Sequence, residues 1–203
     1  MNLREKAAAE TRKKLLKTGQ KLIMKNGLSN VSVEDITNAA GVAKGTFYTY
    51  FKRKEDIVCE ICRKPFADIA KHFCNSKEPD LEKKLAIYFN DFMKEVERYG
   101  INICREWLRD VITPANVTDA KDTQKWQYDT KTLLNMLNFA VKNGELKKNT
   151  PTETLTHIIM TQMYGMMLCW CMSDGEFDPL DWTHKFCELQ LNNILKPYIL
   201  DKK

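Results

Sequence analysis

The stretch Val31-Ser32-Val33-Glu34-Asp35-Ile36-Thr37-Asn38-Ala39-Ala40-Gly41-Val42, continued by Ala43-Lys44-Gly45-Thr46-Phe47-Tyr48-Thr49-Tyr50-Phe51-Lys52-Arg53-Lys54, decides the fold. Its spacing predicts two short helices meeting at a glycine turn. Ser32 is placed to cap the first helix through its hydroxyl, and Asp35, at the third helical position, to reach back to the cap. Val33, Ile36 and Ala40 then share one face. Gly41 falls where the first helix stops and the chain reverses, a position suited to a residue that takes a left-handed backbone without a Cβ clash. Val42 follows as an apolar plug. The second helix, from about Lys44, sets Phe47 and Phe51 four apart on an inner face and leaves Lys44, Thr46, Tyr48, Thr49 and Tyr50 outside. That outer face is built of hydrogen-bond donors and suits a DNA major groove, where an α-helix fits and such side chains meet phosphates and base edges.

The run Gly41 to Phe51, with Lys54 and Glu55 beyond it, resembles the DNA-binding signature of the tetracycline-repressor (TetR) family. The match spans many positions inside a helix-turn-helix pattern, which makes it more specific than a lone short motif. It covers about the first quarter of the chain, and beyond it only the layout is similar. The resemblance implies an all-α protein of about nine helices, with a three-helix DNA-binding head over 1–53 and a helical effector-binding and dimerisation body over 54–203. Carried onto this sequence, it assigns Ser32, Lys44, Gly45, Thr46, Tyr48, Tyr50 and Lys54 to positioning on the DNA backbone, with Lys44 and Thr49 reaching bases. Three residues depart from the commonest family pattern: Ala43 stands where Ser often caps the reading helix, Tyr50 where His is common, and Thr37 in place of Ala.

Composition agrees with an ordered helical protein: 43% hydrophobic and 29% charged residues, with few glycines and prolines, argue against disorder. The net charge of +5 is unevenly placed. Residues 1–56 hold 12 Lys and Arg against 6 Asp and Glu, whereas the rest holds 20 against 21. A basic head on a near-neutral body suits a chain that meets a polyanion at one end. Seven cysteines without regular spacing and no N-terminal signal sequence predict reduced thiols in a cytoplasmic protein. The longest apolar run, Met163 to Met172, falls well short of the roughly 20 residues of a membrane span, so no membrane partner is expected.

Outside the motif, the first helix is expected from about Arg4 or Ala7 to Lys25, closed by Asn26-Gly27, with Arg4 and Lys6 as a mobile arm. Arg12, Lys13, Lys14 and Lys17 lie on its outer side, as phosphate contacts or a solvated face. A fourth helix, Lys54 to about Phe73, joins head to body, with Cys59, Cys62, Phe66, Ile69 and Phe73 on one apolar stripe. Pro65 should kink or end it, and is expected to act as a hinge. The fifth helix opens at Glu78-Pro79 and turns Tyr88, Phe89, Phe92, Val96 and Tyr99 inward. The sixth runs from about Ile101 to Val111 and stops near Thr113-Pro114, and the seventh from about Thr118 to Gly144. Thr150-Pro151-Thr152-Glu153 reads as a capped start for the eighth, which ends at Ser173-Asp174-Gly175. Asp178-Pro179 starts the ninth, which ends at Lys196-Pro197.

In the resembling family the last two helices pair with their twins as a four-helix dimer interface. That implies a homodimer held by Met163, Met167, Trp170, Trp182, Phe186 and Leu189, with two heads reading the half-sites of a near-palindromic double-stranded operator. The family also keeps a small-molecule cavity in the body, for which Tyr88, Phe92, Trp107, Trp126, Phe139 and Tyr164 are the candidates. Arg105 and Arg109 are candidate anchors for an acidic effector. The implied function is an effector-released transcriptional regulator, a repressor by the family's commoner role. No catalytic residue, metal site or cofactor is expected: His72, His157 and His184 are scattered, and no nucleophile elbow, dinucleotide motif or phosphate loop occurs. The alternative is a thiol-based redox-sensing regulator acting through Cys59 and Cys62, although zinc at this C-x-x-C would need more ligands than the spacing supplies. A helical scaffold binding only protein is the third reading.

Overall fold

A computed structural model describes residues 2–112 and 125–200. Its helices are α1 (Leu3–Asn26), α2 (Val33–Ala40), α3 (Lys44–Tyr50), α4 (Glu55–Asn75), α5 (Leu81–Ile112), α6 (Lys125–Lys142), α7 (Thr152–Met172), α8 (Pro179–Phe186) and α9 (Asn192–Leu195), the last two joined by a π-helical turn at Cys187–Leu191. The all-α expectation holds among the described residues, where the one β feature is a lone antiparallel bridge, Leu146 to Ile199, tying the C-terminal end to the α6–α7 turn. No helix among them is long and apolar enough to cross a membrane.

The head forms because its local signals agree. Asp35 N–H donates to Ser32 Oγ at 3.0 Å and Ser32 N–H to Asp35 Oδ2 at 2.8 Å, the reciprocal box that starts α2. Gly41 ends α2 in the left-handed region at φ 62°, and its N–H reaches back to the carbonyls of Asn38 and Thr37. Ile36, Ala40, Phe47 and Phe51 are buried together, while Val33 and Val42 pack half-buried at the edge. Thr37 is 1% exposed, yet its hydroxyl donates to the carbonyls of Val33 and Glu34, so it replaces the usual Ala without leaving an unsatisfied polar group. Gly19 is the close-approach point of α1. A Cβ there would lie 2.5 Å from Ile57 Cδ1, so a larger residue would have to push that side chain aside.

Several elements differ from the expectations above. An Asn2–Glu5 box starts α1 at Leu3, so Arg4 and Lys6 belong to the helix rather than to a mobile arm. Of the two outcomes expected at Pro65, ending is excluded, because helix α4 runs through it; burial of Val58, Phe66 and Phe73 offsets the cost of an interior proline, lost hydrogen bond and ring clash together, of about 3 kcal/mol. The expected fifth and sixth helices are, by contrast, both present: within α5 the backbone at Gly100 leaves the helical region, at φ 79°, ψ 169°, and divides Leu81–Ile112 into two helices there. Thr150 does not cap α7, because its hydroxyl donates to the carbonyl of Lys147; the helix starts at Thr152, with Pro151 in the cap position. Cys59 does not join the buried stripe but is exposed. The Cys62 side chain, the Thr113-Pro114 stop and the Thr118 start lie outside the described residues.

Candidate functional site

Burial of Phe47 and Phe51 fixes the roll of α3 and thereby its outer face. Lys44, Gly45, Tyr48 and Thr49 are exposed, Thr46 and Tyr50 half-buried, and Tyr50 packs its ring on the head core. The structure therefore gathers Lys44, Gly45, Thr46, Tyr48 and Thr49 on one surface. Space beyond Gly45 is open: no atom lies within 4 Å of where a Cβ would stand, so a DNA backbone can approach α3 there. Lys44 Nζ pairs with Glu34 Oε1 at 2.9 Å across the α2–α3 angle. That bond, helped by the carboxylate charge, raises the Lys44 pKa and keeps it a cation. On the flank, Lys14 of α1 approaches the Gly41 turn, and Lys13, Lys14 and Lys17 are exposed, whereas Arg12 is held by Glu60 at 2.9 Å and lies over the Phe51 ring.

Two expected contact residues serve the head's own architecture. The Ser32 hydroxyl accepts from Asp35 N–H and donates to Asp35 Oδ2, which also lowers the Asp35 pKa. The Lys54 ammonium donates to the carbonyls of Leu28 at 2.7 Å and Val31 at 2.8 Å, fastening the start of α4 to the loop before α2. Sequence spacing could not reveal this second role, because the three segments meet only in the folded head.

In the body, the six pocket candidates separate into two clusters and an outlier. Phe92 and Trp107 stack at 5.9 Å between centroids, Phe66 packs on both at 4.5 and 4.7 Å, and Tyr88 stands at 6.4 Å from Phe92. Trp126 meets Tyr164 edge-on at 5.3 Å, and the Tyr164 hydroxyl donates to Asp129 Oδ2 at 2.8 Å. Burial, then the nearby Asp129 charge, pushes both the Tyr88 and Tyr164 phenols far above their ordinary pKa, so both remain donors. Phe139 is the outlier: α6 turns it outward, 37% exposed, away from both clusters. Phe66 and Asp129 join the clusters without having been candidates; of the two, only Phe66 carried a signal, its place on the α4 stripe. Arg105 and Arg109 already have partners, Arg105 in the Cys171 carbonyl and Asp174, Arg109 in Glu106.

Head and body share a seam. Tyr99 donates to the carbonyl of Ile61 at 2.8 Å and Asn102 to that of Met24 at 3.1 Å. Beside them a cavity of about 140 Å³ is lined by Leu28 and Arg53 of the head, Glu55, Val58 and Cys59 of α4, and Glu106, Trp107 and Arg109 of α5. Glu106 is held above its usual carboxylate range chiefly by burial.

The expected dimer residues also divide. Met163, Met167, Trp170 and Phe186 are buried within the single chain, because α5 and α6 cover that side of α7 and α8; they are core. Trp182 and Leu189 are exposed at 47% and 70%. On α7 the exposed apolar residues are instead Ile158, Leu168 and Met172, on the side of the helix turned away from the core.

Residues 15–61 match the family model of bacterial regulatory proteins, tetR family. Over 179 residues the chain is 24% identical to the fatty acid metabolism regulator protein of Bacillus subtilis (strain 168), covering 85% of this chain and 90% of that one. It shares its fold with FadR from Bacillus subtilis, solved with stearoyl-CoA (TM-score 0.68, 20% identity, 87% and 95% of the two chains), and with FadR from Thermus thermophilus, solved with lauroyl-CoA (TM-score 0.72, 15% identity, 95% and 97%).

Ala43, the cap position of α3, makes no side-chain cap hydrogen bond. Ala43→Ser supplies an oxygen for an orphan N–H of the first turn and should stabilise the chain by about 1 kcal/mol, a rise of about 2–4 °C in Tm. Calorimetry checks this, and an unchanged or lower Tm would mean the turn geometry already satisfies those donors.

Proposed function

We propose that this chain, whose head matches the family model and whose full length resembles the fatty acid metabolism regulator, is a member of the tetR family of bacterial regulatory proteins, a ligand-responsive transcriptional regulator and not an enzyme: a cytoplasmic repressor whose head and body divide at 53/54. Two copies bind a near-palindromic DNA operator, and a small molecule in the body releases them. The carrying observation is the outer face of α3, donor-rich, open at Gly45 and flanked by the lysines of α1. In this reading Lys44, Gly45, Thr46, Tyr48, Thr49 and Tyr50 touch DNA, while Ser32 and Lys54 act chiefly by holding the α2–α3 unit in shape. Dimerisation uses Trp182 and Leu189 with Ile158, Leu168 and Met172; Gly165 adds open space on α7 for a close helix approach.

Lys44 meets DNA only after releasing Glu34, a phosphate then taking the carboxylate's place. Lys44→Ala should weaken binding to a 30-base-pair duplex roughly tenfold and lower its salt slope by about one, and Glu34→Gln should strengthen it several-fold. Fluorescence anisotropy across a salt series reads both. Unchanged affinity in both variants removes Lys44 from the interface.

For the effector we propose an acyl thioester of a long-chain acid, its chain taken up among Tyr88, Phe92, Trp107, Trp126 and Tyr164, with Phe139 excluded. Support comes from the two similar structures holding acyl-CoA and from the apolar walls of those clusters. A ligand that prefers one head spacing shifts DNA affinity by its differential affinity for the two body states and no more. Melting curves with lauroyl-CoA, stearoyl-CoA and coenzyme A alone test the class: at a hundredfold excess over Kd the esters should add about 2.7 kcal/mol of stability, and coenzyme A none. A response to coenzyme A alone, or to neither ester, discards it.

A further inference from the structure

One side of α1 is a ridge of lysines. Lys6, Lys13, Lys14, Lys17, Lys21 and Lys25 fall at helical spacing opposite the buried Leu15, Gly19 and Ile23, and all six are exposed. Among the described residues none of the six forms an ion pair or hydrogen bond, and Glu10 is the one acid on their side. Arg12, on the inner side, fixes the roll of the helix. Its Nη2 pairs with Glu60 at 2.9 Å and its guanidinium lies over the Phe51 ring at 5.4 Å, so the lysines are turned outward. At 1.5 Å per residue the ridge is about 28 Å long. Its middle touches the reading unit, where Lys14 Nζ comes within 3.8 Å of the point at which a Cβ on Gly41 would stand. Toward the start of α1, residues 2–7 are all exposed, and the Asn2–Glu5 box caps a helical arm that no other element covers.

We propose that this ridge is a sequence-independent track for duplex phosphates: while α3 reads a half-site, α1 holds the DNA backbone that flanks it. The proposal rests on the reading of the head as a DNA-binding unit and extends it from the reading helix to the length of α1. Such a ridge repels itself. Lys13, Lys17, Lys21 and Lys25 stand at successive i, i+4 positions, where like charges destabilise a helix, and only a polyanion spread along α1 relieves all of them at once.

Duplex DNA is the occupant that fits, because the ridge runs on from the α3 face at Gly41 and belongs to the part of the chain with 12 Lys and Arg against 6 Asp and Glu. Lysine ammonium groups act as point charges on phosphate and carry no preference for a base sequence. The Lys25 end is fastened to the body through Met24 and Asn102, so the stretch from Lys6 to Lys17 is the part that reaches the duplex. A protein built this way covers more DNA than its half-sites and stays on non-operator duplex while it searches.

Acetylation of the full-length protein by an amine-reactive reagent, with and without a 40-base-pair duplex of arbitrary sequence, followed by peptide mapping, tests this on the wild-type chain. Lys6, Lys13, Lys14 and Lys17 should be protected, Lys25 little, and the exposed body lysines Lys83, Lys142 and Lys196 not at all. In a salt series by fluorescence anisotropy on the same duplex, Lys6→Gln/Lys13→Gln/Lys17→Gln should lower the log–log slope by about 2.7, roughly 0.9 per phosphate lost, and weaken binding at least about tenfold. Lys83→Gln/Lys142→Gln/Lys196→Gln removes the same net charge from the body and should leave the slope as it is. Protection of Lys44 with none along α1, or equal slopes for the two triple variants, overturns the track and leaves the reading of α3 standing. Protection of neither overturns the DNA-binding reading itself. Vesicles of anionic phosphatidylglycerol that shield these lysines where the duplex does not would assign the ridge to a membrane surface and overturn the proposal as well.

Discussion

The left-handed turn at Gly41 is the constraint that shapes the whole head. A residue with a Cβ at φ 62° costs about 1–2 kcal/mol, and relief of that strain would open the angle between α2 and α3. The angle is what lets Ile36 and Ala40 of one helix meet Phe47 and Phe51 of the next in a single core. Once those rings are inside, the roll of α3 has no freedom left, and Lys44, Tyr48 and Thr49 face outward. Function at this surface follows from packing beneath it rather than from any unusual property of the side chains above.

Position of the head relative to the body rests on a small set of directional contacts. Lys54 fastens α4 to the loop before α2, Tyr99 and Asn102 fasten α5 to α4 and α1, and the break at Gly100 lies between the last two. Any event that moves α5 beyond Gly100 therefore reaches the head through hydrogen bonds rather than through a diffuse apolar contact. The aromatic cluster of Phe66, Phe92 and Trp107 joins the same two elements, so in the proposed mode of action a ligand taken up there bears on the placement of the head. Packed cores answer such a push by switching arrangement rather than by gradual deformation.

Local chemistry was legible in the sequence and tertiary coverage was not. The Ser32–Asp35 box, the Gly41 reversal and the burial of Phe47 and Phe51 each need only neighbours within a few residues, and all three are realised. The starts and stops of most helices could be read for the same reason. Met163, Met167, Trp170 and Phe186 were legible as apolar but not as covered by α5 and α6, since a helix hydrophobic around most of its girth does not say which side its own chain takes. Cys59 and Cys62 attracted attention by their spacing, whereas the exposure of Cys59 depends on how α4 packs in the folded chain. The Thr150 cap went astray because its hydroxyl finds a nearer backbone carbonyl in Lys147, and Lys54 has an architectural role, in the carbonyls of Leu28 and Val31, that its spacing did not announce.

In the proposed mode of action, two copies of this chain present their α3 faces to one duplex. Selection of binding sites by the full-length reduced protein from a pool of random-sequence duplexes is the decisive measurement. Enrichment of a near-palindrome is expected, with half-site centres about 34–36 Å, one helical turn, or more apart. Recovery of no preferred sequence, or of a single site lacking an inverted repeat, would rule the paired arrangement out.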